Sequence, residues 1–408
     1  MREVTVNCFD QTVHKYTTKG CPQGSICGPV FWDVALEPCL NELETMNEVD
    51  GVVAYADDIA IVVSGNSRRD LESRANKTLN VLNLWCHNNK LKISIEKSTY
   101  MLMRGNLERN PSIKIGLNNL KRTTSVRYLG VMIDEKQNFH DHIKYACSKA
   151  LKSMNKIISI GQQKFHLPLK IIQTYHNSIL VAIIAYGASV WGHRLNIARN
   201  AATINSTQRK ILIRLSGAYS TTAQDALLVT LGIHPLHLSV LKRSSCYWLK
   251  KNNVIRATEV LRNLVTNREE IGRILMDKWQ SSWDASSTGR RVYNFLPNVR
   301  ERLKLSHIQP NRGMVHFITG HGPYNSTLHR LGILNSPRCA CGTEQATPEH
   351  IMWECNETNE GAIRLGREVI RERNPYYILR NKDMYKMCEE LAQRISTFYK
   401  FQYINNNL

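Results

Sequence analysis

No secretory leader opens the sequence: MREVTVNCFDQ has no apolar run and no small-residue cleavage site. Long hydrophobic runs are missing too. The most apolar stretch, Ile179 to Trp191, is 13 residues, against about 20 needed to span a bilayer, and it reads as a buried helix. There is no disulfide framework, because the eleven cysteines are odd in number and irregularly scattered. These absences point to a reducing, intracellular setting without a membrane anchor. No fixed-period repeat or low-complexity tract stands out, and an unrelated metal-dependent phosphotransferase lacks support because no Gly-rich P-loop or kinase-like motif occurs. Acidic residues are few: 34 Asp plus Glu against 54 Lys plus Arg, a net charge of +20. The excess is spread along the chain, and a broad positive field favours a polyanion, most often nucleic acid.

The apolar content is that of a globular protein, and 408 residues suffice for two or three domains. Residues 3–18 alternate in the manner of a hairpin and lead into the turn-rich Gly20-Cys21-Pro22-Gln23-Gly24-Ser25. Ile26, Val30, Val34, Leu40 and Leu43 then fall near helical spacing. Residues 51–65 read GVVAYADDIAIVVSG: two apolar runs flank Asp57-Asp58, the shortest hairpin connection. Ser67 caps a helix whose inner face carries Leu71, Ala75, Leu79, Leu82 and Cys86. Strands are expected over Leu91 to Met103 and again ending at Tyr128 to Ile133. The first ~135 residues therefore mix strands and helices in an α+β manner. From about 140 to 265 the pattern is helical, with Ile143, Ala146, Ala150, Met154 and Ile157 on one stripe.

Asp57-Asp58 at a hairpin tip has two readings. Taken alone, it is a β-turn, since Asp is a common turn former. Alternatively, a tight turn brings both carboxylates toward one cation, and their hard oxygens suit Mg²⁺ in a two-ion phosphoryl-transfer site. Near the other end, Cys339-x-Cys341, eight residues, His350, four residues, Cys355 supplies a complete tetrahedral set for Zn²⁺. The competing reading there is accidental clustering. Trp279 and Trp283 beside Arg290-Arg291 could stack on bases or form a core pair, and carry no site assignment.

Motif order brings these features together. Tyr55-Ala56-Asp57-Asp58 resembles the YxDD signature of reverse transcriptases. About thirty residues upstream, Gly20 to Ser25 with Gly28-Pro29 and Trp32 resembles the family's Pro-Gln-Gly segment. Leu91-Lys92-Ile93-Ser94 with Lys97-Ser98 resembles the next palm motif. Tyr128-Leu129-Gly130-Val131 with Asp134 resembles the segment closing the palm in non-LTR (LINE-like) elements. Ala185-Tyr186-Gly187 with Trp191-Gly192, Gln208-Arg209, and Leu231 to Leu236 resemble recurrent segments of insect-type LINE polymerases, so the resemblance covers nearly the whole chain.

What the resemblance implies is an RNA-directed DNA polymerase of a non-LTR retrotransposon. Its fold would be an α+β polymerase palm, an antiparallel sheet with packed helices, followed by a helical thumb and a small C-terminal zinc knuckle. The implied boundaries are palm 1–135, thumb-like region 136–265, connecting region 266–335, CCHC knuckle 336–358 and helical tail 359–408. Asp57 would bind both catalytic Mg²⁺ ions, with Asp58 assisting. Gln23 and Gly24 would position nucleotide and template, Gly24 by letting the backbone approach without a Cβ. Tyr55 would pack beneath the primer end, and Tyr128 to Val131 would help grip it. Lys97 would lie near the outgoing pyrophosphate, or be a plain surface lysine. Cys339, Cys341, His350 and Cys355 would hold structural Zn²⁺ in a knuckle of the kind that grips single-stranded RNA. The partners would be RNA template, DNA primer or target, and dNTPs, in nucleus and cytoplasm.

The family's polymerase uses another Asp, on a strand well upstream. Asp10 cannot fill that place: it lies only twelve residues before Pro22 and lacks the usual flanking pattern. The expectation is an N-terminally truncated chain, inactive alone. The alternative is a non-catalytic nucleic-acid-binding remnant.

Overall fold

The computed structural model describes residues 2–9, 11–17, 20–21, 24–105, 107–162, 167–342, 345–355 and 375–405. Gln23, Pro22 and Asp10 lie outside the described residues. Two compact units divide the chain: Met1–Arg127 with Ile133–Gln137, and Tyr128–Met132 with Asn138–Leu408.

The first unit opens with β1 (Arg2–Cys8) and β2 (Gln11–Thr17), antiparallel with Cys8 opposite Gln11. Helix α1 (Gly28–Thr45) follows, then β3 (Gly51–Tyr55), β4 (Asp58–Val62) and α2 (Arg68–Asn88). Short strands come next: β5 (Thr99–Tyr100) pairs parallel with β8 (Lys121–Arg122), and β6 (Lys114–Ile115) pairs antiparallel with β7 (Asn118–Asn119). Strands β9 (Ser125–Tyr128) and β10 (Val131–Asp134) complete the set. The α+β class holds, but where an antiparallel palm sheet was expected, every sheet among the described residues is two-stranded, and β5–β8 is parallel.

The core of this unit is the inner face of the β3–β4 hairpin laid on two helices. Val52, Ala54, Ile59 and Ile61 pack against Leu36, Cys39 and Leu43 of α1 and Leu82 and Cys86 of α2. Alternation along the strands sends Val53, Tyr55 and Val62 to the other side, where all three are exposed. Burial pushes the Cys39 thiol up to about 11, so it behaves as a small apolar side chain rather than a nucleophile. Ser67 caps α2 as expected, its hydroxyl accepting from the Asp70 N–H at 3.2 Å.

Three expectations need correcting. The stripe through α1 holds only in its second half: Leu43 is buried and Leu40 packs against the core, but Ile26, Val30 and Val34 are 94%, 59% and 68% exposed, and the buried line is Leu36, Cys39, Leu43. The segment is apolar on two sides, and periodicity cannot choose between them. Leu91 to Met103 is strand only at Thr99–Tyr100, because Ser98 turns the chain with N–H and Oγ bonds to the Ser94 carbonyl at 3.1 and 2.8 Å. Tyr128 to Ile133 is broken at Leu129-Gly130 into the end of β9 and the start of β10.

The second unit is helical. Its helices are α3 (His140–Gln162), α4 (Leu169–Tyr175), α5 (Val181–Ile184), α6 (Ala188–Trp191) and α7 (Ala198–Ser216). There follow α8 (Gln224–Leu231), α9 (Leu236–Lys250), α10 (Val254–Leu261), α11 (Arg268–Ala285), α12 (Arg290–Phe295) and α13 (Val299–Lys304). Last come α14 (Arg312–Thr319), α15 (Asn325–Arg330), α16 (Pro375–Arg380) and α17 (Lys382–Asn405). The stripe on α3 is buried through Ile143, Ala146, Ala150 and Met154, ending on Ile158 rather than Ile157. The apolar stretch Ile179 to Trp191 is buried at Leu180, Val181, Ile184, Ala188 and Trp191, yet is not one helix. The chain bends by 64° at Ala185 to Gly187, and no single described helix is long and apolar enough to cross a membrane. Trp279 and Trp283 are core residues, so the packing reading of that pair is the right one.

A buried polar knot holds α4, α7 and the start of α9 in register. Gln208 donates through Nε2 to His176 Nε2 at 2.9 Å and to the His234 carbonyl at 2.8 Å. Its Oε1 accepts from the Leu236 N–H at 2.9 Å. His176 Nδ1 faces Asn177 Oδ1 at 3.0 Å. These contacts fit a neutral imidazole that donates from Nδ1 and accepts at Nε2. Burial lowers the His176 pKa to about 4, and a proton on Nε2 would also face the Gln208 amide donor. The native state therefore resists a proton that the unfolded chain takes up near its ordinary value of 6.5. Stability is full above pH 6.5 and falls as pH drops toward 4, by about 3 kcal/mol from His176 alone. His142, buried and likewise lowered to about 4, adds in the same direction. Urea unfolding followed by near-ultraviolet circular dichroism at pH 7.5, 6 and 5 should show a steadily falling midpoint. A flat midpoint over that range would contradict the neutral-histidine assignment.

Candidate functional site

The first candidate site is the apex of the β3–β4 hairpin. Tyr55 lies opposite Asp58 in the register, so the two-residue turn is Ala56-Asp57, one residue earlier than the Asp57-Asp58 connection expected, and Asp58 already belongs to β4. Ala56 takes φ +52°, a left-handed backbone that L-residues rarely hold without support. The support is Trp32: its indole Nε1–H donates to the Ala56 carbonyl at 2.7 Å. Trp32 sits on α1 just after Gly28-Pro29, so the two sequence motifs meet through one hydrogen bond. Asp57 and Asp58 are both exposed, and among the described residues neither carboxylate has a hydrogen bond or an ion pair. Tyr55 is exposed beside Asp58 on the outer face. The arrangement offers two unneutralised carboxylates on a rigid apex, a ready place for a hydrated divalent cation. Among the described residues no third carboxylate joins them in a metal-donor cluster.

The other expected residues are placed less fully. Gly24 has φ +84°, and a Cβ there would meet nothing within 4 Å, so its requirement is conformational. Gln23 lies outside the described residues. Lys97 is exposed in the turn at Ile95 to Lys97, and among the described residues no ion pair ties it to either aspartate. Trp32 was noted in the sequence only as part of a motif. Its role as the anchor of the aspartate turn was not legible there, because nothing in spacing reveals a tryptophan N–H aimed at a carbonyl 24 residues on.

The second site is the Cys/His cluster, within the helical unit. The donor atoms of Cys339, Cys341, His350 and Cys355 all lie within 4.8 Å of one another. Cys339 Sγ and Cys355 Sγ are 3.5 Å apart, and Cys341 Sγ is 3.2 Å from His350 Nε2. Zinc–sulfur bonds of about 2.3 Å imply tetrahedral edges of roughly 3.7 Å, so the residues fit a zinc ion with small shifts. The five-residue step from His350 to Cys355 is a π-helical turn, His350–Glu354, closed by the Cys355 N–H to the His350 carbonyl at 2.8 Å. Glu354 Oε2 stands 3.7 Å from His350 Nδ1. A carboxylate on the far nitrogen orients a ligating imidazole and raises its basicity. Nothing in the spacing of the four ligands points to Glu354, whose part depends on the direction of its side chain.

This cluster is built into the fold. Cys339, His350 and Cys355 are buried, and Trp353, 8% exposed, packs edge-on against Phe317 of α14 at 5.6 Å. Glu349 pairs with Arg291 of α12, whose Nε and Nη2 also donate to the Phe317 carbonyl at 3.2 and 2.9 Å. The Ser326 hydroxyl donates to the Ala346 carbonyl at 2.9 Å. The aromatic of the cluster is thus spent on packing and is not presented to bases.

The comparisons with known proteins agree with this geometry. Residues 3–133 match the family described as reverse transcriptase (RNA-dependent DNA polymerase). The chain is 29% identical over 356 residues to a retrovirus-related Pol polyprotein from type-1 retrotransposable element R1 of Bradysia coprophila, covering 84% of this chain and 35% of that protein. It is 27% identical over 350 residues to a Pol polyprotein from element R1 2 of Nasonia vitripennis, covering 83% of this chain and 85% of that protein. It is also 27% identical over 221 residues to the RNA-directed DNA polymerase from mobile element jockey of Drosophila melanogaster, covering 53% of this chain and 24% of that protein. No solved structure gives a significant match. Residues 3–133 therefore form a reverse transcriptase domain segment. Over most of its length the chain is similar to the Pol polyproteins of R1 type-1 retrotransposable elements, and it spans about a third of the first relative's length and most of the second's.

The cluster geometry generates a prediction. The purified chain should carry about one zinc under reducing conditions. Chelation, or Cys355→Ser, should lower its thermal midpoint by at least roughly 5 °C, because the cluster pins α12, α14 and α15 together. A metal-free chain with the same midpoint would remove zinc from the account.

Proposed function

We propose that this chain carries the catalytic apex of an RNA-directed DNA polymerase that extends a primer 3′-hydroxyl on an RNA template. The carrying observation is the pair of unpartnered, exposed carboxylates, Asp57 and Asp58, held on a turn that Trp32 locks through the Ala56 carbonyl. In the reaction the 3′-hydroxyl oxygen forms a bond to the α-phosphorus of a dNTP, and the bond to the pyrophosphate oxygen breaks. Asp57 and Asp58 would hold Mg²⁺, which when bound lowers the barrier to hydroxyl attack and stabilises the leaving phosphate oxygen. Tyr55, exposed on the same face as Asp58, would support the primer end. Gln23 and Gly24 would position nucleotide and template. Lys97, on an exposed turn, would supply positive charge toward the departing pyrophosphate. Cys339, Cys341, His350 and Cys355 would hold a structural Zn²⁺.

The apolar outer face supports a further part of the reading. Val53, Tyr55 and Val62 on the hairpin, Val30 and Val34 on α1, and Ile26 just before it are each exposed in the first unit. Surfaces of this kind are covered in a working protein. The remaining fingers, the rest of the palm sheet and the third carboxylate would then come from polypeptide beyond this chain, and the 408-residue protein alone would have little polymerase activity. Free cysteines throughout the described residues suit a reducing compartment, and nucleus and cytoplasm are where template and target would be met.

Nucleic-acid binding has its own support in the second unit. On α3, Tyr145, Lys149, Lys152 and Lys156 are spaced four, three and four residues apart and are all exposed. Among the described residues the three lysines have no ion pair. A row of unpaired lysines along one helix face matches a phosphate backbone, and it would bind whether or not the chain catalyses.

Two experiments test these readings. Asp57→Ala in a complete element should abolish dNTP incorporation while salt-sensitive RNA binding survives; retained synthesis would refute the catalytic assignment. Replacing Lys149, Lys152 and Lys156 by Ala in the 408-residue chain should reduce the slope of log affinity against log salt by about 2 to 3. An unchanged slope would place the nucleic acid elsewhere.

A further inference from the structure

We propose that Tyr186 is a positioning residue for the Tyr128–Met132 turn, fixing it within the helical unit so that the turn and the tyrosine ring together seat a primer 3′ end. The proposal rests on the polymerase reading above and extends it to a residue that reading does not use.

The turn is unusual in its backbone. Leu129 has φ +46° and Gly130 has φ +84°, the two consecutive left-handed residues of a tight hairpin connection. Glycine accepts that conformation freely, but leucine rarely keeps it, and such outliers persist where neighbours over-determine them. The neighbours are explicit. The Tyr186 hydroxyl donates to the Leu129 carbonyl at 2.9 Å. A Cβ on Gly130 would lie 2.9 Å from Tyr186 Cε1, so the ring covers that glycine directly. On the next residue, Gly187 closes against Val131: a Cβ there would lie 2.7 Å from Val131 Cγ2. Finally, the Met132 N–H donates to His142 Nδ1 at 3.3 Å. Residues 129 to 132 are each held in turn.

The holds by Tyr186 and His142 lead back to Trp191. Its indole Nε1–H donates to the Tyr186 carbonyl at 2.9 Å, and its ring meets His142 edge-on at 5.3 Å. Trp191 is fully buried. One buried tryptophan thus fixes both the tyrosine that holds the front of the turn and the histidine that holds its back. This is why Tyr128–Met132 is part of the helical unit although the strand residues on either side are not.

The tyrosine is nevertheless 57% exposed. A ring placed only for packing would be covered. This one shields Gly130 and leaves much of its surface open to solvent next to the turn, with its hydroxyl tethered so that the ring cannot swing away. A fixed aromatic beside a fixed backbone turn is a seat for the sugar or base of a nucleic-acid end, since base and sugar faces pack on aromatic rings without sequence preference.

The test uses the 408-residue chain with two probes of equal length: a blunt RNA–DNA duplex, and a duplex with a recessed DNA 3′ end. The quantity read is the ratio of the two affinities, which general destabilisation lowers in neither direction. The wild-type chain should prefer the recessed end. Tyr186→Phe should reduce that preference by about fivefold, the worth of one neutral hydrogen bond, and should speed amide exchange at Leu129 to Met132. Gly130→Ala, which attacks the same contact from the turn side, should reproduce the loss should Tyr186→Phe fold poorly. An unchanged ratio in both variants overturns the proposal. A wild-type ratio of one is a different failure: it removes the primer-end role of the turn itself, and the proposal falls with it.

Discussion

The whole first site depends on one carbonyl. Ala56 sits in a left-handed conformation that its side chain disfavours, and its carbonyl is captured by the Trp32 indole at 2.7 Å. Without that bond the turn can relax, and with it the spacing of the two carboxylates that follow. Like charges repel, so Asp57 and Asp58 gain nothing from each other, and in the proposed reading only a bound cation would offset that. The apex must be rigid beforehand, because ordering it at the moment of ion binding would cost affinity. The core of Leu36, Cys39, Leu43, Leu82 and Cys86 serves mainly to keep α1, and therefore Trp32, under the hairpin.

The second unit solves a similar problem with similar chemistry. Leu129 is also a non-glycine residue in the left-handed region, and its carbonyl is also taken by an aromatic donor on a helix, the Tyr186 hydroxyl. In both cases a side chain larger than glycine stands where glycine is easier, and the cost is offset by an external donor. The two turns differ in what stands behind the donor. Trp32 is only partly buried, whereas Tyr186 is itself fixed by the fully buried Trp191. The second turn is accordingly anchored more deeply in its unit than the first.

How much of this was legible beforehand divides along a physical line. The β3–β4 hairpin, the Ser67 cap, the α3 stripe and the four zinc-type ligands were all visible, because each is written in local spacing or residue type. The buried face of α1 was legible only at Leu40 and Leu43; Val30 and Val34 are as apolar as Leu36 and Cys39, and only the surrounding chain decides which row is covered. Nor was the interruption at Ala185 to Gly187 within the apolar stretch legible, because Gly187 there is needed for its approach to Val131 as well as for its positive φ. The donors that define the sites, Trp32, Tyr186 and Glu354, were invisible as donors. Each acts on a partner through direction, and direction is a property of the folded chain.

The buried polar groups of the helical unit explain why its sites can be precise. Gln208 spends both ends of its amide on fixed partners, and an amide that is fully satisfied inside a core tolerates only one arrangement of the helices around it. An apolar residue of the same size would pack in several. The same logic applies to the Cys/His cluster, where Arg291 ties the Phe317 carbonyl to Glu349 and so fixes the π turn that carries His350. Burial lowers the Arg291 pKa to about 10, which leaves the guanidinium charged at neutral pH and able to hold both partners. A helical unit organised by directional bonds can hold an exposed tyrosine in one place, because the hydroxyl and the carbonyl of Tyr186 are both engaged by fixed partners.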